Sequence, residues 1–163
     1  MLSLSKHKYL VFSSLLKPMH MILELLATLS AGLFTGAAIY INLVEHPARM
    51  QCGTALAVTQ FGPSYHRAAV MQASLAVVGS LSAAVVWVMG AKLSWLIGGI
   101  LLAVVVPFTL IVIFPTNKQL LDSSLDKDSP LALQLLTRWG RLHAVRSLLS
   151  LVAFLLFLSS YTR

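Results

Sequence analysis

Four runs of apolar residues, each at least 20 positions long, alternate with short polar clusters along the chain. They fall at about residues 19–41, 68–89, 93–114 and 142–161. About 20 mostly apolar residues in α-helix cross a bilayer core, so each run is long enough for one crossing. The runs are rich in Leu and Ala and do not alternate, which argues against paired strands. The expected fold class is all-α: a four-transmembrane-helix up-down bundle over 19–163, preceded by an N-terminal interfacial segment over 1–18.

The polar clusters carry recognisable breaks. Pro47 removes a backbone donor and disfavours helix at His46, so the first helix is expected to end or kink there. "FGPSYHRAAV" is expected to reopen a helix with Pro63 near its first turn. "GAKLS" is short enough to make the second and third runs an antiparallel hairpin, and "FPTNK" is expected to end the third. In "DKDSPLALQ", Asp128 or Ser129 would cap the last helix with Pro130 at its first position. That helix would run some 30 residues, about 45 Å, and project beyond the lipid. Gly32 and Gly36 form a GxxxG that permits close helix packing. Up-down order then gathers "NLVEHP", "PSYHR", "FPTNK" and "RWGRLHAVR" at one end of the bundle, leaving "GAKLS" and the termini at the other.

Composition agrees with a membrane setting. The 163 residues are 58% hydrophobic and 10% charged, against about 45–50% and about 25% for a soluble domain. The chain reads as an integral, multi-pass membrane protein, with nothing to say which membrane. Twelve Lys/Arg and five Asp/Glu give a net charge of +7, but the basic residues flank the apolar runs as headgroup anchors would. No basic tract with interleaved aromatics exists, so nucleic acid is not an expected partner. The flanking cations divide into Lys6, Lys8, Lys17, Lys92 and Arg163 on one side and Arg49, Arg67, Lys118, Lys127, Arg138 and Arg141 on the other, which sets no orientation. The lone Cys52 allows no internal disulfide, and the N-terminal segment shows no small-residue cleavage site and is expected to be retained.

Chemistry concentrates at the polar end. Trp139, His143 and Arg146 stand at i, i+4 and i+7 on one helix face, as Asn42, Glu45 and His46 do on another. Ionisable groups within a span are costly and usually point into the bundle, so Arg146 is the expected partner of Glu45. Tyr65 and His66 open the second helix on the same side, whereas Glu24 (an interfacial or paired acid), His7 and His20 belong to the other end. Each residue also has a plainer reading: Trp139 as an interface-belt residue, Arg146 snorkelling to headgroups, Glu45 and His46 as a solvated helix exit, His143 as a satisfied core histidine. His46, His66 and His143 with Glu45 could offer ligands to zinc or non-haem iron, but no HxxxH or ExxH spacing occurs. The expectation is therefore no metal and no cofactor.

"VVVPFTLIVIFPTNKQL" followed by "LLTRWGRLHAVRSLLSLVAFLL" resembles the DUF1772 family of four-helix membrane proteins, which includes the anthrone oxygenases. The resemblance covers about residues 20–160 and rests on Pro107, Thr109, the "PTNK-x-L" exit and the W-x-x-x-H-x-x-R face, with Pro47 also fitting. It implies Thr116, Asn117, Trp139, His143 and Arg146 as site residues, while "NLVEHP" belongs to some members only. It further implies oxygenation of an anthrone with His143 or Glu45 as base and Arg146, Asn42 and Asn117 on the developing oxyanion. His46, Trp139 and Tyr65 would line the substrate. Whether the chain is an enzyme stays open at this point. The alternative is a non-enzymatic tetraspan protein, a subunit, assembly factor or lipid-binding module. A carrier fits less well, because its site usually lies near the midplane. The expected partners are membrane lipid and an apolar small-molecule substrate, with a homo-oligomer also open.

Overall fold

The computed structural model describes residues 2–161, with side chains from Lys17 to Tyr161. The chain winds four long helical columns. The first is α1 (Leu2–Tyr40), a π turn (Ile41–Glu45) and α2 (His46–Gln51), stacked end to end. The second is α3 (Thr54–Val88); the third is α4 (Leu93–Phe108), a π turn (Thr109–Ile113) and α5 (Phe114–Leu120); the fourth is α6 (Pro130–Tyr161). The helix of α1 runs unbroken through Pro18. Most of the interfacial segment expected over 1–18, His7 included, has side chains that lie outside the described residues, whereas Lys17 and Pro18 are exposed.

Four stretches, Lys17–Gln51, Thr54–Val88, Leu93–Leu120 and Pro130–Tyr161, are long and apolar enough to cross a membrane. Each column packs on two neighbours in the cyclic order α1, α3, α4, α6, which is an up-down bundle. Its outer surface carries Leu29, Leu33, Val88, Leu110, Ile111 and Leu148, all more than half exposed. Such a surface suits lipid, and the protein is an integral, multi-pass membrane protein. The inside holds two apolar clusters: Phe34, Trp95, Leu102 and Phe157 towards one end, and Ile41, Phe61, Ile113, Leu136 and Trp139 towards the other. Gly79 of α3 lets three helices meet, since a Cβ there would lie 2.6 Å from Leu102 and 3.0 Å from Ser30. Of the GxxxG pair, Gly32 packs on the Phe154 ring while Gly36 faces open space.

The hairpin and the last helix follow expectation. Gly90, at φ +94°, turns α3 into α4, and Ser129 Oγ accepts the Ala132 amide at 3.2 Å as the cap of α6. Ser129, not Asp128, is the cap, and Pro130 is the first helical residue of a 32-residue helix.

Three expected breaks do not occur. Pro47 does not end the first column, because the preceding π turn bonds the His46 amide to the Ile41 carbonyl. The wider turn moves the carbonyls that an α-helical proline ring would strike, so the column continues beyond it. The third column repeats the device: the Phe114 amide bonds to the Thr109 carbonyl just before Pro115, and "FPTNK" continues the helix as α5. Pro63 lies well inside α3 rather than in its first turn. Gly53, at φ +93°, reverses the chain within two residues and lets α3 begin at Thr54.

Candidate active site at the polar end of the bundle

A cavity of about 140 Å³ lies inside the bundle, walled mainly by α3, the end of α4 and α6. Phe34, Phe61, Ala76 and Val105 form its buried apolar wall, and the exposed Ala73 and Leu110 place its mouth between α3 and the second π turn. Small side chains cause the gap: Ala68, Ala69, Ala73 and Ala76 line the α3 side. The wall residues that can hydrogen-bond or carry charge include Arg49, Tyr65, Gln72, His143 and Arg146.

His143 is buried on α6, with its ring 4.8 Å from that of Trp139. Its Nδ1 lies 2.7 Å from Asn42 Oδ1. The Asn42 amide is oriented by its other contacts: Nδ2 donates to the Gly140 carbonyl at 3.1 Å, and Oδ1 accepts from Ser147 Oγ at 2.6 Å. An amide oxygen only accepts, so His143 Nδ1 carries the hydrogen and Nε2 keeps a lone pair. Among the described residues the one side-chain hydrogen bond of His143 is at Nδ1, and the side chain lines the cavity. The imidazole is thereby set up as a proton acceptor.

Arg146, one turn further along α6, donates from Nη2 to Gln72 Oε1 at 2.7 Å and lies over the Phe34 ring at 5.5 Å. Among the described residues no carboxylate pairs with it. The expected Glu45–Arg146 pair is therefore not formed. Glu45 pairs with Arg49 instead and accepts Ser64 Oγ at 2.7 Å. The cause is the uninterrupted column: carried past Pro47, the helix places Arg49 four residues from Glu45.

The other expected site residues divide. Trp139 and Tyr65 join the wall, packed on Phe61 with ring centroids at 5.3 Å and 5.6 Å. Asn42 sits behind His143 rather than in the wall. His46 also lies outside it, 5.3 Å from the Trp139 ring and against Gly140, where a Cβ would stand 2.6 Å from its Nε2. Glu45 faces an outer groove shared with Tyr40 and Cys52. Asn117 and Thr116 are buried on α5 away from the cavity, with both Asn117 amide atoms and the Thr116 hydroxyl unpartnered. At the other end, Glu24 is the paired acid expected, 3.6 Å from His20. His46, His66, His143 and Glu45 do not converge: among the described residues no three His, Cys, Asp or Glu form a group that could hold a metal ion.

Three wall residues escaped the sequence reading. Gln72 is the only amide in the second apolar run, which was a visible signal without a visible partner. By sequence Arg49 counts among the loop cations and Ser64 opens the second helix without a role, and the continued first column brings Arg49 to Glu45 and Ser64.

A family model described as anthrone oxygenase matches residues 61–156. The matched stretch contains Gln72, His143 and Arg146, and excludes the column bearing Asn42, Glu45 and Arg49. No curated protein and no solved structure matches the chain.

Proposed function

The chain belongs to the anthrone oxygenase family, and from that premise we propose that its cavity oxygenates an apolar aromatic ketone or phenol dissolved in the membrane. The observation that carries this reading is Arg146, a guanidinium in the cavity wall with no carboxylate partner among the described residues, one helical turn from the acceptor nitrogen of His143. A fixed cation beside a fixed base suits a reaction that removes a carbon-bound proton and develops charge on oxygen.

The chemistry balances on the substrate's own electrons. His143 Nε2 takes a proton from the ring methylene, and the electron pair delocalises onto the ketone oxygen, where Arg146 holds it. The anion gives one electron to dioxygen, and the two radicals join in a carbon–oxygen bond. His143 returns its proton to the outer peroxide oxygen, and loss of the second methylene hydrogen with cleavage of the oxygen–oxygen bond leaves a new ketone and water. The net change is CH2 plus O2 to C=O plus H2O. A base and an oxyanion site are enough for this, and the substrate itself is the reductant.

Glu45 is tied to Arg49 and Ser64 in this reading and is not the base. Gln72 takes the place proposed for Asn117 beside Arg146. Oxygen uptake by the detergent-purified, chelator-treated protein with an anthrone tests the proposal. His143→Gln should lower turnover by roughly 10²–10⁴-fold and Arg146→Met by roughly 10²–10³-fold. Wild-type turnover in both variants would overturn it, and no uptake by the wild type would favour a non-enzymatic tetraspan protein.

A further inference from the structure

The cavity is small for a three-ring molecule. Its volume is about 140 Å³, close to the roughly 150 Å³ of an apolar protein cavity that binds one benzene ring. One aromatic ring fills the enclosed part, and the rest of a fused substrate lies at the open side beside Ala73 and Leu110.

Its charge is equally selective. Arg146 keeps its proton in a protein and, unlike Arg49 in the same wall, has no carboxylate partner among the described residues. Arg146 is half-buried, and a partly desolvated charge without a counter-ion is costly, so an anion beside it offsets that cost. Gln72 Oε1 takes one guanidinium hydrogen, and aromatic and aliphatic side chains make up most of the surrounding wall, so the anion best matched has its charge spread into a ring rather than held on a carboxylate, which costs more to desolvate. Arg146 Nε and Gln72 Nε2 are also buried and without partners among the described residues. The mouth lies between α3 and the second π turn beside exposed Ala73 and Leu110, so an apolar ligand reaches it sideways from the lipid.

We propose that the cavity is a subsite for one oxygen-bearing aromatic ring, bound as its phenolate. The ring lies among Phe34, Phe61, Ala76 and Val105, with the oxygen on Arg146 and any further ring extending past Ala73 and Leu110 towards the lipid. This deepens the reading of the same cavity as an oxygenase site and rests on it for the choice of an aromatic ligand. It does not require that oxygen react.

Anaerobic titration of the detergent-purified protein into 4-nitrophenol tests the subsite, at a pH where the dye in empty micelles is neutral. The yellow phenolate band should rise and saturate with wild-type protein. With Arg146→Met it should be at least tenfold weaker, and Arg146→Lys should restore part of it; helicity of both variants shows that they fold. The methyl ether 4-nitroanisole and the carboxylate 4-nitrobenzoate should each compete at least tenfold more weakly than 4-nitrophenol. An equal band with Arg146→Met in a folded protein, or equal competition by either analogue, would overturn the subsite. A phenolate band without oxygen uptake from an anthrone would keep the subsite and remove the oxygenase reading. Uptake without the band would do the reverse.

Discussion

Replacing Asn42 by Leu removes three hydrogen bonds while nearly preserving volume. The bonds lost are those to His143 Nδ1 (2.7 Å), Ser147 Oγ (2.6 Å) and the Gly140 carbonyl (3.1 Å). Side-chain hydrogen bonds inside membrane proteins average about 0.6 kcal/mol, against about 1 kcal/mol in soluble proteins. The expected loss is thus about 2–3 kcal/mol. Ser147 softens it, because its hydroxyl also bonds the His143 carbonyl at 3.3 Å. His143 does not recover as easily, since Asn42 is the partner that fixes hydrogen on Nδ1. Two assays read these effects separately. Reversible unfolding in mixed micelles measures stability, and nitrogen-15 resonances of the His143 ring report which nitrogen bears hydrogen. Wild type should show the Nδ1–H form, and Asn42→Leu should populate the Nε2–H form. A variant within 0.5 kcal/mol of wild type, with the His143 tautomer unchanged, would refute the assignment of Asn42 as the positioning residue.

Arg49→Met should destabilise by about 3 kcal/mol, the lower end for breaking a buried pair, because the Glu45 side chain is 21% exposed and Ser64 still bonds it. Adding Glu45→Gln should recover most of that loss in the same unfolding assay; no recovery would mean the pair is not the source. Gly140→Ala should cost about 1–3 kcal/mol by overpacking, because its Cβ would stand 2.6 Å from His46 Nε2 and 2.8 Å from Cδ2. His46→Ala in that background should relieve the strain, and an unrelieved loss would place its cause elsewhere.

Much of the architecture was legible because it depends on short-range pattern. Apolar length gave the four crossings, and "GAKLS" and Ser129 marked a hairpin and a cap whose geometry is local. The Trp139–His143–Arg146 face was legible for the same reason, since spacing along one helix needs no knowledge of neighbours. What misled was proline. Pro47 and Pro115 read as helix ends, yet each follows a π turn that makes room for the ring. One extra residue in a turn also rotates every later side chain by about 100°. That rotation bears on why Glu45 meets Arg49 rather than Arg146, and why Asn117 is buried away from the cavity. The Gln72–Arg146 bond was hidden for a different reason: it joins residues 74 positions apart on diagonal helices, a relation no local pattern carries.

In the proposed reaction His143 Nε2 is the base of this cavity. Anaerobic exchange of the anthrone methylene hydrogens with deuterated water measures that step alone, before oxygen enters. Wild-type protein should speed exchange well above the rate in empty micelles, while His143→Gln should leave it at that background. Equal acceleration by a folded His143→Gln variant would contradict the account.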